Sequence, residues 1–341
     1  MKKALLLVLV NVLIIEVFLR VAMKVTKEYN FWLPRYSMYN FELQEIKEYK
    51  EADFNILILG GSAISNVLPA KVGTVLEDTL KAQFKGKNIR VTNLAYPGRT
   101  SRDMDVVTDF LTPEQQKSFD AIIYYESIND SRFNCIPAEA FRLDYSHSHW
   151  YQEVNLMKKH KEMNFTIIPF VIELFKERLE EKSGKRIMLN DDMDIAKDLM
   201  PYGSELKTDK SFRKNVNGIL TKFKGNRNIY LLQYHTYYPE PLFDHKNLEF
   251  HKERTFFKAT GPATTTGAWG FPENVVMTVN AHNAILENLS TSSKNTSYVK
   301  TDSLLGPLHD EYFDNCHFTD KAGKVFAQYI AENITEGLRK H

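Results

Sequence analysis

The sequence predicts an α/β protein in which a mostly parallel sheet is covered by helices on both faces. Three observations carry that expectation. Five short apolar runs of strand length, FNILILG, NIRVTNLA, FDAIIYYE, RNIYLLQY and TSYVKTD, alternate with longer segments of helical period. The chain has 341 residues, 43% of them apolar and 26% charged, enough to bury a large core. Polar clusters follow four of the five runs, and in such sheets ligands bind at the carboxyl ends of the strands.

The first element is of a different kind. Lys2 and Lys3 precede a mostly apolar stretch, residues 4–23, about as long as a membrane-spanning helix. It is interrupted by Asn11, Glu16 and Arg20, and the last two, four apart, share a helical face and can pair near the membrane boundary. A cleaved signal peptide is the rival reading, but RVAMKVTK offers no small-x-small cleavage site. The expectation is a single-pass membrane protein with its domain outside the cytoplasm, the alternative being secretion after cleavage. Lys24 and Lys27 on the far flank pull against that orientation. The segments are then 1–27 as anchor, 28–52 as an aromatic and charged connector, and 53–341 as one α/β domain with an insertion at about 133–208.

Within the domain, FNILILG reads as a buried strand and the segment from Pro69 to Phe84 as a helix, with Val72, Val75, Leu76 and Leu80 at helical spacing. A strand at NIRVTNLA, a helix over about 101–111 and a third strand at FDAIIYYE follow. The helical SFRKNVNGILTKF precedes the fourth strand, and the helical NVVMTVNAHNAILENL precedes the fifth. Residues 133–208 exceed what a compact domain leaves as plain loop. They contain an amphipathic helix marked by Ile167, Phe170, Val171, Leu174 and Phe175. This insertion is expected to form a helical cap over the strand ends, or else to pack away from them.

Four of the five strand ends are followed by residues that can do chemistry. Gly60-Gly61-Ser62 follows the first, YPGRTS with Gly98 the second and SIND with Asn129 the third; Asp314 and His317 lie beyond the fifth. Serine is a weak nucleophile unless a base takes its proton, and His317 is the residue type for that. Asp314 can hold the histidine tautomer and stabilise its imidazolium. Ester cleavage also needs donors for the developing oxyanion, which the N–H groups of Ser62 and Gly98 and the Asn129 amide can supply.

The ordered blocks Gly60-Gly61-Ser62, NLAYPGRTS, YYESIND and DNCHFTDKAG resemble those of the SGNH (GDSL-like) hydrolase superfamily over about residues 54–335. The resemblance implies a flavodoxin-like three-layer α/β/α sandwich with a five-stranded parallel sheet. It also implies Ser62 as nucleophile, Asp314 and His317 as its partners, an oxyanion hole of Ser62, Gly98 and Asn129, and no metal or organic cofactor. Two positions depart from the family pattern: Gly61 stands where an Asp is common, and Ser127 where a Gly is usual. The first removes a side chain the mechanism does not need, and the second places a Cβ beside Asn129.

Other classes fit less well. With 44 basic and 43 acidic residues there is no electrostatic case for nucleic acid. GGSAISN matches neither phosphate-binding glycine pattern, and Ile64 breaks the G-x-S-x-G elbow. His147 and His149 alternate as strand neighbours do, but without a carboxylate or cysteine cluster a metal is not expected there. His235 and His282 are read as core or pocket lining. Cys135 and Cys316 flank the site and are a candidate disulfide in an oxidising compartment. The first functional expectation is a serine esterase acting on an acyl ester of an envelope carbohydrate or lipid. Acyl transfer by the same triad is the alternative, and a non-catalytic binding or assembly protein on the same fold is a third. A protein partner is not indicated.

Overall fold

The computed structural model describes residues 2–184, 187–189, 194–226, 228–244, 255–260 and 266–339. Helix α1 (Lys2–Lys27) is followed by α2 (Asn40–Lys47), strand β1 (Phe54–Gly60), α3 (Val72–Gln83) and β2 (Ile89–Asn93). Then come α4 (Ser101–Val107), α5 (Pro113–Ser118), β3 (Ala121–Tyr125), α6 (Ile128–Ser131), α7 (His149–Lys159) and α8 (Ile168–Lys182). The chain closes with α9 (Asp209–Lys222), β4 (Asn228–Leu232), α10 (Pro272–Thr291), β5 (Thr296–Val299), α11 (Asp302–Leu305) and α12 (Asp320–Arg339).

All five expected strands form one parallel sheet in the order β2-β1-β3-β4-β5. The strands feed two cores because successive side chains point to opposite faces. Leu57 and Leu59 of β1 join Met104, Val107, Phe212, Val216 and Leu286 from α4, α9 and α10. Ile56 and Ile58 join Leu76 and Leu80 of α3 and Phe326, Ile330 and Ile334 of α12. This is the three-layer arrangement expected, with the strand order reversing between β1 and β3.

Several elements differ from the sequence reading. Helix α3 starts at Val72 rather than Pro69, because Lys71 takes a left-handed φ of 41° and ends the preceding turn. Helix α5 has a Thr112–Gln115 capping box that the apolar pattern alone does not reveal. The segment read as a connector packs onto the domain: Tyr39, Glu42 and Ile46 are buried, and Glu42 receives two hydrogen bonds from Arg99 at 2.6 and 3.3 Å.

The insertion divides in two, with residues 185, 186 and 190–193 outside the described set. Helix α7 borders the strand ends through Trp150 and Tyr151, whose Nε1 and hydroxyl donate to Asp103 at 3.0 and 2.5 Å. Helix α8 instead lies against α7 and α1. Its inward face is Phe170 and Leu174; Phe175, expected on that face, is exposed, with no neighbour over it among the described residues.

The charges inside α1 have a structural use. Residues 2–15 are exposed, and at Glu16 the helix meets the domain. The Glu16 carboxylate accepts from the Ile167 N–H at 3.0 Å and the Thr166 hydroxyl at 2.9 Å, covering the orphan donors at the start of α8. Arg20 pairs with Glu16 at 2.6 Å and donates to the carbonyls of Phe31 (2.7 Å) and Asn164 (3.1 Å).

Candidate active site

Ser62 opens a short 3-10 turn immediately after β1, at the sheet edge. Its Oγ lies 2.5 Å from Nε2 of His317. The other ring nitrogen, Nδ1, is 2.6 Å from Oδ2 of Asp314. Oδ1 of Asp314 accepts the N–H groups of Cys316 at 3.0 Å and His317 at 2.8 Å, so the turn that carries the histidine also fixes the carboxylate. An Asp facing Nδ1 assigns the proton to that nitrogen and leaves the Nε2 lone pair toward Ser62. Residues 255 positions apart in sequence thus form one chain of hydrogen bonds.

Gly98 stands at φ +76°, a left-handed conformation that disfavours any Cβ. The space beside it is open, so backbone geometry, rather than crowding, is the reason for glycine here. Its loop is tied to the third strand end at two points. The Asn129 amide donates to the Arg99 carbonyl at 2.9 Å, and Asp130 accepts from the Ser101 N–H at 2.8 Å and its hydroxyl at 2.6 Å. Burial pushes the Asp130 carboxyl up to about 6, against the pull of the bonds from Ser101 and Tyr145.

Asn129 is more committed than its sequence block suggests. Its Nδ2 also donates to Glu126 Oε2 at 3.2 Å, and its Oδ1 accepts from Trp269 Nε1 at 3.1 Å. Glu126 is fully buried, and burial, reinforced by the charge of Asp130, raises its carboxyl well above the usual carboxylate range. Ser127 does not shape this pocket: its hydroxyl meets Nδ1 of His282 at 3.0 Å, in the core.

Sequence reasoning missed three residues around the site. Trp269, whose ring sits 6.4 Å from that of His317, lies in a loop with no strand or helix period to flag it. Glu126 sits inside a quoted block but has no role in the family pattern. Arg99 packs its guanidinium over Tyr39 and Trp150, at 4.7 and 4.8 Å from the ring centroids, and borders a cavity of about 280 Å³ next to Gly98. Arg132, Phe133, Ser148 and Tyr151 line the same cavity.

The remaining candidates disperse. His147 Nδ1 accepts from the Arg142 N–H, whereas His149 opens α7 and faces Glu181 at 2.8 Å, so the two do not converge on a metal. Asp314, Cys316 and His317 could be grouped as ligands, with atoms within 4.8 Å, yet both ring nitrogens of His317 already face partners. The disulfide does not form: both cysteines are free and buried. Cys135 points toward the Met200 carbonyl and packs where Gly203 and Gly270 leave room, while the Cys316 thiol faces Tyr234 and Asp314. The aromatics after β4 serve packing: Tyr234 stacks on Tyr125 and Tyr237 on His309.

The sequence matches no protein-family model and no curated protein. Among solved structures it is similar to the lipase/acylhydrolase from Enterococcus faecalis, with a TM-score of 0.43 and 11% identity over 83% of this chain and 96% of that one. It is also similar to LAE5, an alpha/beta hydrolase enzyme from the metagenome of Lake Arreo, Spain (TM-score 0.42, 12% identity, 85% and 97% covered). A third similar structure is Axe2, an acetylxylan esterase from Geobacillus stearothermophilus (TM-score 0.41, 13% identity, 83% and 95% covered).

Proposed function

We propose that this chain is a membrane-anchored serine ester hydrolase in which Ser62 is the nucleophile. The observation that carries the reading is the continuous Ser62–His317–Asp314 hydrogen-bond chain, with distances of 2.5 and 2.6 Å. In the first step His317 Nε2 takes the Ser62 proton as Oγ bonds to the ester carbonyl carbon. The carbonyl oxygen becomes an oxyanion facing the N–H groups of Ser62 and Gly98. Asn129 adds a third donor once its longer contact to Glu126, at 3.2 Å, is exchanged for the substrate. Asp314 stabilises the imidazolium, which returns the proton to the departing alcohol. Water, deprotonated by the same histidine, then attacks the acyl-Ser62 carbonyl, and as the acyl–Oγ bond breaks His317 returns the proton to Ser62 Oγ and the acid is released.

The cavity beside Gly98 supports a carbohydrate as the alcohol part. Its aromatic wall of Phe133, Trp150 and Tyr151, with Ser148 and two arginines, suits a ring with apolar faces and a polar rim. The same cavity supports the second reading, transfer of the acyl group to a sugar hydroxyl bound there in place of water.

For the anchor, α1 is a 26-residue helix long and apolar enough to cross a membrane, and its second half is built into the domain through Glu16, Arg20 and Met23. A helix clamped in this way supports retention rather than cleavage, with the domain outside the cytoplasm.

The test is release of p-nitrophenol from a short-chain ester by the wild type and by Ser62→Ala, with and without sugar acceptors, beside fluorophosphonate labelling. Ser62-dependent release supports the hydrolase, and acceleration by an acceptor favours transfer. Full activity in Ser62→Ala overturns the scheme, and no labelling together with no release moves the protein to the binding class.

A further inference from the structure

The free apolar length of α1 is too short for a bilayer. Between Lys3 and the clamp at Glu16 lie residues 4–15, which at about 1.5 Å per residue span roughly 18 Å. A hydrocarbon core is about 30 Å thick, leaving about 12 Å to be made up. Below Glu16 the helix is flanked by the domain, and the flanking surface there is apolar. Phe165, next to the Glu16 contact, is 92% exposed, and Trp32, next to the Phe31 carbonyl held by Arg20, is 75% exposed.

Helix α8 continues this surface. It starts at the level of Glu16, and Arg178, eleven residues on from Ile167, shares the Glu153 carboxylate with Lys27, so α8 follows α1 away from its free end. Ile172 and Phe175 are exposed on its outer side, within about the first 8 residues of α8, which the missing 12 Å would cover. Of the charged groups of α1 at this depth, Arg20 is 7% exposed and spends its donors on Glu16 and on carbonyls of the domain, while Lys24 is exposed at the far edge of the band, where its long side chain can reach the headgroups.

We propose that the end of the domain around α1 is a lipid-docking collar, with Trp32, Phe165, Ile172 and Phe175 immersed among the headgroups and upper acyl chains of the bilayer. The proposal rests on α1 crossing that membrane. Aromatic side chains favour this depth, and burying four large apolar groups offsets the mismatch. The exposed charges nearby are Lys24, Lys161, Glu162 and Lys176, so anionic lipid would add to the attraction, and a neutral phosphatidylcholine bilayer isolates the part that comes from the apolar interface. The collar keeps the domain against the membrane surface rather than free on a stalk.

The experiment uses the full chain in phosphatidylcholine vesicles, with an environment-sensitive fluorophore on single introduced cysteines: Leu9→Cys, Phe165→Cys, Phe175→Cys and, as an exposed control, Lys294→Cys. The wild type, whose cysteines are buried, is the labelling blank. Lipids carrying a spin label high or low on the acyl chain report depth. The expected result is deep quenching at position 9, shallow quenching at 165 and 175 several-fold above that at 294, and blue-shifted emission at both. Quenching at 9 with 165 and 175 no different from 294 overturns the collar while keeping the anchor. Absence of quenching at 9 overturns the anchor and the collar with it. Blue-shifted emission at 165 and 175 that is unquenched and depends on protein concentration assigns this surface to a second copy of the chain and overturns the lipid reading.

Discussion

The Glu126 carboxyl fills the space that a side chain at Gly61 would need. A Cβ built on Gly61 comes within 2.0 Å of Glu126 Oε2 and 2.7 Å of Asn129 Nδ2. The departure at position 61 is therefore not the mere loss of an idle side chain. A buried glutamic acid behind the Ser62 turn occupies that space. Gly61→Ala should destabilise the protein by about 1–3 kcal/mol through overpacking, and Glu126→Ala should relieve that clash. In a double-mutant cycle followed by denaturant unfolding, the double variant should be more stable than the sum of the singles by at least about 0.5 kcal/mol. Strict additivity would show that the two positions do not share this space.

Asn129 is held from both ends, by Trp269 on its oxygen and by Arg99 and Glu126 on its nitrogen. For the proposed oxyanion donor, Asn129→Ala should lower kcat on the order of 10²-fold on an activated ester. Trp269→Phe removes only the bond that orients the amide, so a smaller loss of kcat with little change in KM is expected. Steady-state rates on the same ester decide this, and an unchanged kcat in Asn129→Ala removes the residue from the mechanism.

The Glu16–Arg20 clamp has a consequence for stability apart from any membrane. Arg20→Ala leaves the Phe31 and Asn164 carbonyls without their donor and the Glu16 carboxylate without its partner, at a cost of about 3 kcal/mol. Limited proteolysis of the detergent-solubilised protein should then cut within residues 160–167 well before the wild type is cut there. Equal protection in the two proteins would mean that the interface is held by Leu19 and Met23 alone.

Two buried histidines each contribute a stability that falls toward acid pH, opposed over part of the range by the raised carboxyls of Glu126 and Asp130. His282 lies between Ser127 and Thr208, stacked on Phe212 at 3.9 Å, and burial lowers its pKa to about 3. Burial does the same to His147, also to about 3. The unfolded chain binds these protons near pH 6.5 and the folded chain does not, so the full contribution is present above 6.5 and is lost as pH falls toward 3. Each histidine adds a slope of about 1.4 kcal/mol per pH unit within that window. The stability difference between the wild type and His282→Gln, measured at pH 7, 6 and 5, isolates one ring from the carboxyls common to both proteins, and it should move against the wild type as pH falls. A difference that does not change with pH would contradict the neutral, buried state of His282.

The local chain pattern determined the strands, because apolar runs such as FNILILG have no soluble alternative to burial in a two-faced sheet. It also determined which loops would meet, since parallel strands deliver their carboxyl ends to one edge. Ser62, Gly98, Asn129, Asp314 and His317 could thus be named as a group before any geometry was known. Tertiary structure alone decided the rest. Whether two cysteines pair depends on where their thiols point, and Cys135 and Cys316 face different walls. Whether Glu16 and Arg20 sit idle on a helix or close an interface depends on a loop nearly 150 residues away. The insertion, expected either as a cap or as packing away from the strand ends, split between the cavity beside Gly98 and the flank of α1, because amphipathicity specifies that a face is covered and not by what. Glu126 and Trp269 carried no periodic signal, since a side chain that works by filling one space or meeting one amide leaves its mark only in three dimensions.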